Sequence, residues 1–348
     1  MTNRLHYRMP DGAEIVSVED DIVRMHISMP SDDAGYLGRE CPACERLFRM
    51  HVEDYKELAD DQRLTCPYCA AVDEPSKFFT KQQIERARAA AGAYAMRMAD
   101  DILGSAFRRM AQSINSQRGM IRMEVGSSGF RGPQVLPAIT EEAPIRERSC
   151  ARCSNRYAVF GEHIACPVCG KLPPPSIALD ALDAQEAALS VFDGLPGDLA
   201  DTLRESGALE RTAVGALGSV VSIVEAFLKD TVLTTVSNGA ALIAGKGNVF
   251  QRLSDSAPLY RDRLGIDLPA ILGAGWERLL LLYGLRHLLT HNNGVVDAKH
   301  VARFPSAGHV VGHRVHVGLS DAREAITLAR TLVTGICAQP GPVGGNES

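Results

Sequence analysis

The chain has 348 residues, of which 45% are hydrophobic and 23% charged, with a formal net charge of −5. That length has room for two or three domains, and so mild a charge excludes neither acidic nor basic partners. Met1 to Pro10 has no apolar core, so nothing there reads as a signal peptide. No run of about 18 or more apolar residues occurs: the best candidate, Thr212 to Gly245, is broken by Glu225, Lys229 and Asp230. The expectation is a soluble, cytoplasmic protein.

Residues 11 to 40 read as β. Asp11-Gly12 is a turn signal, and Ile22 to Met29 partly alternates apolar and polar residues. A short sheet packed on the first metal site is expected there. Cysteine then dominates, with eight of the nine falling in four C-x-x-C pairs. Cys41-Pro-Ala-Cys44 is followed after 21 residues by Cys66-Pro-Tyr-Cys69. Cys150-Ala-Arg-Cys153 is followed after 12 by Cys166-Pro-Val-Cys169-Gly170. A tight C-x-x-C turn aims two thiolates at one ion, and four thiolates leave no open coordination position. The eight cysteines therefore predict two structural Zn²⁺ ions. A secreted disulfide framework fits poorly with so long a chain lacking a signal peptide. A redox C-x-x-C would be one isolated pair in a βαβ setting. Phe48 stands four residues after Cys44 and Tyr157 four after Cys153, each opening a strand-like run. One module used twice is the reading, with spacing alone leaving open whether knuckles pair locally or across modules. Cys337, alone near the C-terminus, is expected to be a buried small hydrophobe.

Between the ribbons, Thr80-x-x-Gln83 has the form of a capping box. Residues 81 to about 117 are rich in good helix formers. Across 76 to 122 there are nine Lys/Arg against three Asp/Glu, the arginines being Arg86, Arg88, Arg97, Arg108, Arg109, Arg118 and Arg122. A solvated helix face and a phosphate-binding face both fit. Residues 126 to 149 carry Gly and Pro in loop-like density. Gly126 to Gly129 lacks the Walker lysine and the strand-to-helix setting of a phosphate loop.

From Ser176 to Ala338 the pattern turns helical, near 179–193, 197–206, 208–236, 249–254, 268–273, 275–291 and 320–337, with a short β excursion possible at His309 to Val317. Glu225 and Lys229, at i and i+4, predict a surface ion pair of about 0.2–0.5 kcal/mol. The expected fold class is multidomain α+β, with two β-rich four-cysteine zinc ribbons, an intervening helical segment, and then an all-α bundle. The expected boundaries are 1–75 for the β extension and first ribbon, 76–125 for the basic helical segment and 126–175 for the second ribbon. The bundle follows at 176–338 and a flexible tail at 339–348.

The reactive side chains converge late in the bundle. Trp276 to Thr290 reads as a helix with an apolar stripe through Leu281, Leu285 and Leu288, interrupted by Arg286 and His287. His291 sits near its last turn, and Asn292-Asn293-Gly294 supplies residues that tolerate a left-handed cap. His287 and His291 share a face. Arg286, five residues from His291, is turned away by about 140° on a regular helix. Convergence is therefore expected to need a relaxed helix end or a second subunit.

Arg286-His287-x-x-x-His291 resembles the R-polar-x-x-x-H motif of HEPN domains, helical bundles found in toxin–antitoxin, phage-defence and RNA-processing proteins. The wider layout resembles a little-characterised bacterial family with two zinc ribbons before a helical domain. The matching residues are Gly35 to Pro42, Cys150-x-x-Cys153-x-x-Arg156-Tyr157-Ala158, Cys166-Pro167-x-Cys169-Gly170 and Arg286 to Asp297. What the resemblance implies is a HEPN-like bundle acting as a metal-independent endoribonuclease. His291 would be the general base or acid, because imidazole titrates near neutral pH. Arg286 would neutralise the phosphorane-like transition state, and His287 would orient the pair. It also implies RNA as partner, a homodimer that brings two motifs to one cleft, and a protein partner or antitoxin. Glu225 and Lys229 resemble an acidic/basic pair on an earlier helix of some HEPN domains. The competing readings are a bundle that binds RNA or protein without cleaving, and a hydrolytic metal site of His287, His291 and a carboxylate such as Asp297. The last lacks the H-E-x-x-H glutamate, since Leu288 stands there. His300, His309, His313 and His316 are read as structural. The ribbons are expected to recognise a nucleic acid or a protein.

Overall fold

The computed structural model describes residues 9–19, 22–116, 122–125, 135–140 and 146–339. The chain divides into two compact units. The first is Met1–Phe160 with Ala165–Gly170, and the second is Gly161–Ile164 with Lys171–Ser348. Both ribbons and the helix between them thus share one unit, where the sequence suggested three segments. Gly126 to Gly129, Arg118 and the expected tail beyond Gln339 lie outside the described residues.

The first unit opens with β1 (Ala13–Glu19) and β2 (Ile22–Ile27), which pair only with each other. Residues 36–40 of the expected β region run into Cys41 as a separate strand, while Arg86 ties this hairpin, donating from Nε to the Ser28 carbonyl at 2.9 Å. The same side chain also donates to Pro137, so Arg86 is committed to structure rather than to phosphate.

The ribbons follow. β3 (Tyr36–Glu40), β4 (Leu47–His51), the short α1 (Val52–Lys56), β5 (Leu64–Thr65) and β6 (Val72–Asp73) make the first. Next comes α2 (Lys81–Ser116), and then β7 (Arg146–Ser149), β8 (Arg156–Val159), β9 (Ala165–Cys166) and β10 (Gly170–Lys171) make the second. The two ribbons are fused through one antiparallel sheet of order β3-β4-β8-β7. At its centre Phe48 faces Val159, Arg49 faces Ala158 and Met50 faces Tyr157. Outside, Glu40 faces Leu47 and Ser149 faces Arg156. Phe48 and Tyr157 hold equivalent places in their modules, so this register has local two-fold symmetry about Arg49 and Ala158. The second knuckles obey the same symmetry: Thr65 N donates to Pro167 O at 2.8 Å, and Ala165 N to Pro67 O at 3.1 Å. Phe48, Met50, Tyr157 and Val159 form a fully buried cluster, with Phe78 edge-on to Phe48 at 5.8 Å between centroids. Buried Arg49 is ion-paired to Asp32.

α2 begins as its capping box requires. Gln83 N donates to Thr80 Oγ1 and Thr80 N to Gln83 Oε1, both at 3.2 Å. Gln83 Nε2 also reaches Gly38 O at 2.9 Å, docking the helix start on β3.

The second unit is helical: α3 (Pro174–Ser190), α4 (Gly197–Glu205), α5 (Ala208–Thr235), α6 (Gly239–Ile243), α7 (Leu253–Leu264), α8 (Leu268–Leu272), α9 (Gly275–His291), α10 (Ala298–Arg303) and α11 (Leu319–Cys337). His163 Nδ1, 2.9 Å from Asp180, pins the 161–164 loop to α3. α5 is long and apolar enough to cross a membrane by length and composition. In this unit its apolar face, with Leu217, Val220, Val224, Phe227 and Leu228 buried, is the core against α3, α9 and α11.

Three sequence expectations change. His309 to Val317 forms no strand, only a bridge from Arg314 to Val295. α7 runs far beyond the expected 249–254 and carries Pro258 inside it. Cys337 is exposed, because Ile336 takes the inward position in the last turn of α11.

Thr80→Ala removes one half of the cap and should lower the unfolding free energy of the first unit by about 1 kcal/mol. Urea unfolding of the metal-loaded protein measures this, and an unchanged midpoint would show that the buried cap carries no stability.

Candidate functional site

The two thiol sets are built from four similar turns. Cys41 O, Cys66 O and Cys150 O each accept from the residue four positions on, at 2.7–3.0 Å. Glu45, Ala70, Ser154 and Gly170, which follow the four C-x-x-C turns, all have positive φ. Such a turn reverses the chain and points both sulfurs inward. Cys41, Cys44, Cys66 and Cys69 form one group, and Cys150, Cys153, Cys166 and Cys169 the other, with all ligand atoms of a group within 4.8 Å. The knuckles therefore pair locally. Cys41–Cys69 and Cys44–Cys66 are 3.7 Å apart, Cys150–Cys169 3.4 Å and Cys153–Cys166 3.7 Å. Four sulfurs set tetrahedrally about 2.3 Å from an ion stand about 3.8 Å apart, so each donor set fits a tetrahedral metal. Burial pushes the Cys66 and Cys166 thiols up. For Cys150 burial acts the same way but is outweighed by the Arg152 and Cys153 amides and neighbouring sulfurs, bringing it down to about 7. A bound cation would compensate the clustered thiolates.

The other site lies in the helical unit. On α9, Leu285 and Leu288 are buried, which leaves Arg286 half-buried at the side and His287 and His291 exposed. The imidazole centroids of His287 and His291 are 4.9 Å apart. The helix stays regular to its end. Asn292 N and Gly294 N both donate to Leu288 O, at 2.8 and 2.9 Å, with Asn293 and Gly294 at φ 54° and 77°. That is the left-handed stop read from the sequence. The end does not relax, yet Arg286, His287 and His291 of a single chain all line one cleft of about 700 Å³. Arg286 also borders a neighbouring cavity of about 550 Å³, beside Thr290.

The rest of the wall is basic. Arg252, Lys299 and Arg303 join Arg286 in the cleft. Arg252 is paired with Asp255 at 2.8 Å, whereas neither Arg286 nor Lys299 has an ion-pair partner among the described residues. Asp297, the one carboxylate of the wall, caps α10 by accepting from His300 N at 2.7 Å. His300 Nε2 is 2.9 Å from His309 Nδ1. Burial and the neighbouring His309 hold the His300 imidazole below its usual range, so it is neutral near pH 7. Gly284 shapes the floor, because a Cβ there would stand 2.5 Å from the Phe304 ring. Only glycine lets Phe304 seat so close to α9.

Tyr283, Lys299 and Arg303 line the cleft but were not read from the sequence, and His300, read there as structural, lines it too. The signal for Tyr283 was present, since it precedes Arg286 by three residues and His287 by four and shares their helix face. Glu225 and Lys229 form no ion pair with each other among the described residues. Lys229 points to solvent, while half-buried Glu225 lies close enough to Tyr283 to raise its phenol. The two four-cysteine groups are the sole metal-ligating clusters among the described residues, so His287, His291 and Asp297 do not assemble the hydrolytic triad. The chain matches no family model, no curated protein and no solved structure.

Elemental analysis of the purified protein should find two metal ions per chain, falling to one in the Cys150→Ser, Cys153→Ser double variant. Strong chelation should abolish the cooperative unfolding of the first unit. An unchanged unfolding transition after complete metal removal would overturn the structural role.

Proposed function

We propose that the protein is a metal-independent, HEPN-type endoribonuclease whose two four-cysteine groups hold structural Zn²⁺. The observation that carries this reading is the meeting of Arg286, His287 and His291 in one cleft, beside the unpaired Lys299 and the cationic Arg303. Uncommitted cations in a partly enclosed wall favour a phosphate ligand. His291 takes the proton of a ribose 2′-hydroxyl as its oxygen attacks the adjacent phosphorus. The P–O5′ bond breaks, and the imidazolium returns a proton to the departing 5′-oxygen. The products carry 2′,3′-cyclic phosphate and 5′-hydroxyl ends. Arg286 neutralises the charge gathering on the non-bridging oxygens, and His287, ring to ring with His291, orients it. The zinc assignment rests on four thiolates per site at tetrahedral spacing. A homodimer and an antitoxin-like protein partner belong to the same proposal through the resemblance to HEPN domains.

One observation favours a second reading, an RNA-binding cleft without cleavage. Among the described residues no hydrogen bond orients His291, and a catalytic imidazole is ordinarily aimed by a third group.

The assay is purified protein with mixed RNA in EDTA. Cleavage to 2′,3′-cyclic phosphate ends is expected, reduced at least about 100-fold in His291→Ala and strongly in Arg286→Ala. Tight binding with no cleavage at any protein concentration would leave the binding reading. Light scattering during size exclusion should give twice the 37.5 kDa chain mass.

A further inference from the structure

Tyr283 stands in the cleft wall one helical turn before Arg286. It is 8% exposed, and its hydroxyl, closed off from solvent, has no hydrogen-bond partner. A buried phenol ordinarily finds one, and leaving it unpaired carries a desolvation cost. The contrast with Tyr260 is direct: that buried hydroxyl donates to Leu228 O at 2.7 Å. Burial raises the Tyr283 phenol above its usual range, Glu225 adds to this, and Arg286 opposes it. The group is therefore a protonated donor at any physiological pH, within electrostatic reach of the cation assigned to the phosphate. None of the accepting side chains of the cleft, Asn248, Gln251, His287, His291 and Asp297, reaches this hydroxyl. A ligand in the cleft would supply the missing acceptor.

We infer that Tyr283 is a ligand-binding residue, donating a hydrogen bond to a non-bridging phosphate oxygen of the RNA strand that Arg286 neutralises. This rests on the reading of the cleft as an RNA site. The hydroxyl is covered, so engagement includes a local opening of the cleft wall around it. A guanidinium and a phenol on one turn of α9 then grip one phosphate, and the two histidines lie toward the helix end, where the adjacent ribose falls.

The test uses the full-length, metal-loaded protein and a fluorescent RNA oligomer carrying 2′-deoxy sugars, which cannot be cleaved by 2′-hydroxyl attack. Affinity is read by anisotropy and stability by thermal melting. Tyr283→Phe removes only the hydroxyl. It should weaken binding about tenfold, the scale of one hydrogen bond to a charged group, while the melting temperature stays level or rises. Arg286→Ala should weaken binding as well. If Tyr283→Phe binds like the native protein while Arg286→Ala does not, the phenol is satisfied by a trapped water and this inference falls, leaving the RNA site standing. A clear drop in melting temperature for Tyr283→Phe would make the hydroxyl structural and overturn the inference too. If the native protein does not bind the oligomer at all, the reading of the cleft fails with it.

Discussion

Thiolate clustering is the constraint on which the first unit depends. Eight sulfurs are gathered into two sets with separations of 3.4–3.7 Å along the paired edges. Negative sulfurs this close repel one another, and burial alone pushes Cys66 and Cys166 toward the neutral thiol. The arrangement is stable when a cation compensates it. Once each set is closed, the turns hold Glu45, Ala70 and Ser154 in the left-handed region that such residues rarely adopt. The strands that leave these turns are then aimed at one another.

The consequence is a sheet that neither ribbon could complete alone. A two-stranded ribbon has little apolar area to bury. Joining β4 to β8 stacks Phe48 and Met50 on Tyr157 and Val159, giving one shared core for two small modules. The two-fold register and the reciprocal bonds from Thr65 and Ala165 follow from using the same module twice, face to face. α2 is anchored to this sheet by Gln83, so the capping box does more than start a helix.

In the helical unit the organising element is α5. An apolar helix of 28 residues needs cover on most sides, and α3, α9 and α11 supply it. The packing fixes the rotation of α9 through Leu285 and Leu288, and that rotation puts His287 and His291 outward with Arg286 at the flank. Close approach of Phe304, permitted by Gly284, brings α10 to the same place and adds Lys299 and Arg303 to the wall. The chemistry proposed for the cleft is thus a by-product of how one core helix is covered.

Much of this was legible in the sequence wherever the determining contacts are local. The C-x-x-C turns, the Thr80–Gln83 box, the Asn-Asn-Gly stop after α9 and the extents of most helices are set within a few residues, by turn chemistry and helix propensity. That Arg286 and the two histidines line one cleft was legible as a motif but not as a geometry, because spacing alone turned the guanidinium away. Tertiary structure decided the rest: which knuckles come together in one group, that two ribbons make one sheet, that Arg86 is structural, and that Glu225 addresses Tyr283 rather than Lys229. It also brought α10 to the cleft and left the Tyr283 hydroxyl without an acceptor. Each of these depends on groups far apart in sequence being packed together, and a local pattern carries no record of its distant neighbours.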